Sequence, residues 1–213
     1  FPSITAEEAP KLSPFIKLAE QLGSFAGQLT ETRLKHVKIE YTGEIAEMNT
    51  KALTAALLAG LLRPHITDVN MVSAPAMARE RGLVVEEVKR GEEGAYQTYM
   101  RLTVETERGE RSVAGTVFSD GRPRIIQIKG INMEAELSRY MLYITNQDKP
   151  GFIGKFGSLM GEAGVNIATL SLGRDRPGGD AICLVAVDEP VTDEILAKVR
   201  ALPMVTRAHR LEF

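Results

Sequence analysis

The stretch YMLYITNQDKPGFIGKFGSLMGEAGVNI, residues 140–167, decides the fold of the second half of the chain. Tyr140 to Thr145 reads as a strand. Asn146-Gln147-Asp148-Lys149-Pro150-Gly151 carries strong turn chemistry. Residues 152–163 then read as a helix, with Ile153, Phe156, Leu159 and Met160 on one face and Gly164 as its stop. Val165 to Leu172 returns to a strand pattern. Downstream, Pro177-Gly178-Gly179 marks a hairpin loop between Arg174 and Asp180. Ala181 to Val187 is a buried strand, 191–201 a helix, and Val205 to Leu211 a last strand. The order is βαββαβ over residues 139–213, a ferredoxin-like plan.

Two further units lie upstream. In residues 34–131, Val37, Ile39 and Tyr41 alternate with Lys38 and Glu40 as in a strand. Residues 45–62 are rich in Ala and Leu and read as one helix, stopped by Arg63-Pro64; a second helix is expected over about 75–81, closed by Gly82. Strand-like runs follow at 83–90, 97–106, 111–118 and 124–129, with turn signals at Arg108-Gly109 and Asp120-Gly121. Short turns predict an antiparallel meander backed by helices, an α+β domain. Residues 1–33 read as an arm and a helix. Thr5 and Glu8 have capping-box spacing, but Pro10 limits that turn, so Ser13 as N-cap with Pro14 next is the expected start. Phe15, Leu18, Ala19, Leu22, Phe25, Ala26 and Leu29 form one apolar stripe that needs a partner surface. The whole is an α+β chain of two small α/β-sandwich domains.

Composition narrows the function. Lysine and arginine number 26 against 28 aspartate and glutamate, mixed along the chain, so no electrostatic footprint for nucleic acid stands out. The longest near-apolar run, Ala52 to Leu62, is too short to span a bilayer. The expected setting is the cytoplasm, with neither nucleic acid nor membrane as partner. The single cysteine, Cys183, sits in Ala181-Ile182-Cys183-Leu184-Val185 and reads as a buried strand thiol. His36, His65 and His209 lack metal-ligand spacing. No catalytic set and no metal site can be proposed. Gly151, Gly154 and Gly157 are spaced G-x-x-G-x-x-G, which does not suit a pyrophosphate. Close packing of the helix is the expected reason for Gly154 and Gly157.

The loop ahead of that helix carries the chemical signal. A strand-to-helix loop presents free backbone N–H groups and a positive helix end, which suit a carboxylate. Gly151 lets a ligand approach the backbone, and Asp148 can answer an ammonium group. The amide of Asn166 both donates and accepts, so it can bridge the two charges of an amino acid. The plain alternative is a turn at Asp148–Gly151 and a loop cap at Asn166.

The Asp148-Lys149-Pro150-Gly151 loop, the Gly- and Leu-rich helix and Ala163-Gly164-Val165-Asn166-Ile167 together resemble an ACT domain. Upstream, Phe1-Pro2-Ser3-Ile4, Leu12-Ser13-Pro14-Phe15 and Leu18-Ala19-Glu20-Gln21-Leu22-Gly23 resemble the tail of the substrate-binding domain of the D-3-phosphoglycerate dehydrogenase family. Leu53-Thr54-Ala55-Ala56, Ala74-Pro75, Arg79-Glu80-Arg81-Gly82 and Arg124-Ile125-Ile126-Gln127-Ile128 resemble the intervening domain of its long form. The resemblance implies a regulatory portion without dehydrogenase activity and with no cofactor of its own. The parent would use NAD to oxidise 3-phosphoglycerate, and the missing catalytic domains of the same chain would be partners. It implies L-serine as feedback ligand at an ACT–ACT interface of a homo-oligomer. There Asn146, Asp148, Gly151, Phe152 and Ile153 of one chain would face Asn166 of its neighbour. Asn146 departs from the His or Tyr common in the family. An anion site in the intervening domain would carry over to Arg124, with Lys129 and Arg122 beside it. A β component of an iron–sulfur L-serine dehydratase and a purely oligomerising ACT module are the competing readings. With its parent domain absent, the helix at 14–29 is expected to be exposed.

Overall fold

The computed structural model describes residues 3–92 and 94–213. The chain divides into two compact units, Phe1–Lys129 and Gly130–Phe213. In the first unit the elements are α1 (Ala9–Leu29), β1 (Leu34–Gly43), a 3-10 turn (Glu44–Glu47), α2 (Thr50–Leu62), α3 (Ala74–Glu80), β2 (Val84–Arg90), β3 (Thr98–Thr106), β4 (Gly109–Val117) and β5 (Pro123–Ile128). The strands lie in the order β2-β1-β3-β4-β5. β3, β4 and β5 form the expected antiparallel meander. β2 instead pairs parallel with β1, which requires the crossover that α2 and α3 supply.

Helix α1 starts a turn earlier than its Ser13-Pro14 signal predicts. Thr5 and Glu8 close their capping box, with Glu8 N donating to Thr5 Oγ1 and Thr5 N to Glu8 Oε2. Pro10 falls in the first turn, where no helical N–H bond is required. The apolar stripe of α1 is not exposed. Leu18, Ala19, Leu22 and Phe25 are fully buried, and the helix packs along α2 and across β4. Helix α1 therefore does not stand apart: it completes the core of the first unit. The expected single helix over 45–62 is also divided. Asn49 Oδ1 accepts from Ala52 N at 3.2 Å, and that cap sets α2 apart from the 3-10 turn.

The second unit comprises β6 (Ile131–Ala135), β7 (Tyr140–Gln147), α4 (Phe152–Glu162), β8 (Ile167–Arg174), β9 (Asp180–Val187), α5 (Asp193–Arg200) and β10 (Val205–Glu212). Its four-stranded sheet runs β10-β7-β9-β8, with antiparallel neighbours throughout. This is the βαββαβ order with both helices on one face. Leu142 and Ile144 of β7, Cys183 and Val185 of β9, Phe152, Phe156 and Met160 of α4, and Leu196 and Val199 of α5 share one core. Thr192 caps α5, accepting from Ile195 N at 3.2 Å. Strand β6, which the sequence pattern does not announce, lies against β8. A Cβ on Gly173 would sit 2.7 Å from the carbonyl oxygen of Asn132, so glycine is required where β6 passes.

Candidate functional site

The site is built at the end of β7. Successive residues of a strand face opposite sides, so Asn146 follows Leu142 and Ile144 onto the helix-facing side. It is 3% exposed. Its Nδ2 donates to the carbonyl oxygen of Gln147 at 3.1 Å, whereas its buried Oδ1 has no hydrogen-bond partner among the described residues. A buried amide oxygen left in this state is costly, by about 1–3 kcal/mol.

Two residues on, the loop turns into α4. Gly151 is the N-cap, in the left-handed region at φ 93°, and no side chain caps the helix. The first-turn N–H groups of α4 thus keep their donor capacity. Phe152 points into the core at 2% exposure, but Ile153 points outward at 52%. Ile153 therefore leaves the face expected for it with Phe156 and Met160. The glycines of α4 also differ from expectation. A Cβ at Gly154 or Gly157 would meet nothing within 4 Å, so close packing does not explain them.

Asp148 is engaged from the β8–β9 hairpin. Its Oδ2 accepts from Arg174 Nη1 at 2.8 Å and from Gly178 N at 3.1 Å. The Arg174 hydrogen bond first, then that of Gly178, holds the Asp148 carboxyl below its ordinary range. Arg174 was not among the expected site residues. The βαββαβ order does contain a signal for it: the β7–α4 loop and the β8–β9 hairpin emerge at one end of the sheet. The register places Arg174 beside Ala181, and Ala181 beside Asn146.

Asn166 lies elsewhere. β8 runs parallel to β7, since both are antiparallel to β9. Asn166 precedes β8, so it sits at the opposite end of the sheet from Asp148, roughly 25 Å away at 3.3 Å per residue. Its Nδ2 donates to Asp188 Oδ2 at 2.8 Å. One chain does not bring Asn166 to the loop.

Of the three cations expected to form the anion site, Arg122 and Arg124 meet at Asp120, whereas Lys129 follows the other end of β5. Arg124 Nη2 and Arg122 Nε both donate to Asp120 Oδ2, at 2.8 and 3.3 Å. Arg124 also covers the Phe118 ring, 4.9 Å from its centroid. Lys129 lies beyond the far end of β5, at φ 50°. Among the described residues no group of three or more His, Cys, Asp and Glu side chains can hold a metal ion. No helix of the described residues is long and apolar enough to cross a membrane.

Comparison with known proteins agrees with these units. The model of the D-3-phosphoglycerate dehydrogenase intervening domain matches residues 11–129, and that of the ACT domain matches residues 140–203. D-3-phosphoglycerate dehydrogenase of Bacillus subtilis is 32% identical over 203 residues, covering 95% of this chain and 39% of that protein. The enzyme of the same name from Archaeoglobus fulgidus is 35% identical over 214 residues, covering 99% of this chain and 40% of its own length. The chain thus spans about two fifths of the relatives it matches. The crystal structure of the ACT domain from GTP pyrophosphokinase of Chlorobium tepidum aligns with 35% of the chain and 97% of its own, at 22% identity and a TM-score of 0.30.

Proposed function

Because this chain belongs to the family of D-3-phosphoglycerate dehydrogenase intervening domains and continues into an ACT domain, we propose that it is the regulatory part of a phosphoglycerate dehydrogenase and binds L-serine. The observation that carries the reading is the orphaned Asn146 Oδ1, buried at the end of β7, in the strand that leads to the uncapped start of α4. It offers an acceptor to a ligand hydroxyl or ammonium. The first-turn N–H groups after Gly151, at Phe152 and Ile153, suit the ligand carboxylate. Asp148 suits the ammonium. Asn166 of a second copy closes the site, since one chain leaves it far off. Exposed Ile153 and Leu172 give that second copy apolar surface to cover.

In the parent enzyme, oxidation of 3-phosphoglycerate with NAD would take place on domains outside this chain. Serine bound between two ACT units would bias how they dock and so damp its own synthesis. A coupling of this kind is worth about 1–3 kcal/mol. Calorimetric titration of L-serine into the chain tests the reading. Saturable heat that disappears in Asn166→Ala is expected. No heat with the unaltered chain would leave the ACT unit as an oligomerising module and sink the proposal.

A further inference from the structure

Asp148 is held by two donors on one and the same oxygen. Arg174 Nη1 and Gly178 N both reach Oδ2, and the backbone N–H of Asp148 donates to Gly179 O at 2.9 Å. No described group bonds Oδ1, and the side chain keeps 21% of its surface in solvent. The carboxylate is therefore anchored through Oδ2 to the β8–β9 hairpin, while Oδ1 has no hydrogen-bond partner among the described residues.

We propose that Arg174 is a positioning residue of the ligand site: it fixes the Asp148 carboxylate through Oδ2 so that Oδ1 faces an incoming ammonium group. This rests on the reading of the loop as an amino-acid site. An unanchored aspartate turns freely about its side-chain bonds, and a ligand that recruits it must bear the ordering cost. Here the ordering precedes the ligand. Arg174 does so without blocking the site, because the second oxygen remains available. Gly178 N brings the hairpin backbone to the same carboxylate, and Gly179 O accepts from the Asp148 backbone N–H. The hairpin thereby helps set the geometry of a loop 26 to 31 positions earlier in the chain.

The charge state gives a second handle. A carboxyl whose ionised form is favoured by Arg174 stays competent for an ammonium down to a lower pH. That competence is present above the carboxyl's own titration and is lost as pH falls through it. Without Arg174 the titration moves up, and the acid limit of binding moves with it.

The experiment compares the unaltered chain with Arg174→Ala and Arg174→Lys. L-serine affinity is read by calorimetry, and the Asp148 carboxyl is titrated by carbon NMR without ligand. Arg174→Ala is expected to bind serine about two- to five-fold more weakly, the range an exposed ion pair supports. Its Asp148 titration should move to higher pH, and Arg174→Lys should restore most of both. Tighter binding in Arg174→Ala would make Arg174 a competitor of the ligand and overturn the proposal. So would unchanged affinity with an unmoved titration. Absence of binding to the unaltered chain would overturn the site itself, which the first titration reports separately from the variants.

Discussion

Cys183 faces the core of the second unit from the middle of β9, between Ile144 on β7 and Leu172 on β8. Burial pushes its thiol up to about 12. The reactive thiolate is then scarce at neutral pH, and reagents cannot reach it. Labelling with an aromatic disulfide is expected to be slow in the native chain and complete within the mixing time in denaturant. Fast native labelling would show that the strand is not packed as described. This residue was legible from its apolar neighbours alone. Asn146 was expected to open the loop, yet it lies within β7, and its orphaned oxygen was not legible. Whether a buried amide finds a partner depends on what surrounds it, and that is set by residues far away in sequence. Tyr41 shows the same limit. It reads as one inward residue of a strand, yet its hydroxyl bonds Thr54 at 2.6 Å, and Thr54 bonds Glu87 at 2.6 Å. This chain ties α2 to β1 and β2, and no spacing rule contains it.

At the scale of elements, the crossing of α1 and α2 depends on three glycines. A Cβ on Gly23 would run into the carbonyl oxygen of Leu57, one on Gly27 into that of Leu61, and one on Gly60 into that of Glu20. All three obstacles are backbone, which cannot swing aside as a side chain does. Gly23→Ala and Gly60→Ala are each expected to lower stability by about 1–3 kcal/mol in urea unfolding. In contrast, Gly157→Ala in α4 meets open space and gains helix propensity, so it is expected to leave stability unchanged or slightly raised. A reversed order would refute the helix crossing. Both sets of glycines look alike in the sequence. Periodicity identifies an apolar stripe on α1, but only the partner helix shows which small residues lie under it.

For the whole molecule, the second unit carries its own helix-and-sheet core. Residues 130–213 expressed alone are expected to unfold cooperatively, with the near-ultraviolet dichroism of a packed core. A non-cooperative melt would mean that the unit borrows its stability from the rest of the chain. The division between Lys129 and Gly130 falls where both residues adopt positive φ, at 50° and 77°. The arm and helix of residues 1–33 were misjudged, because an apolar stripe states that it needs a partner and not which one.

The sequence by itself determined the βαββαβ order, the meander of β3 to β5, the loop at Asp148–Gly151 and the buried thiol. Each of these depends on local periodicity, turn residues and near neighbours, which a linear reading contains. The tertiary structure alone decided the burial of α1 on α2, the parallel place of β2, the anchoring of Asp148 by Arg174 and the distance of Asn166. These depend on which distant segments meet, and the meeting is set by the packing of all the elements at once.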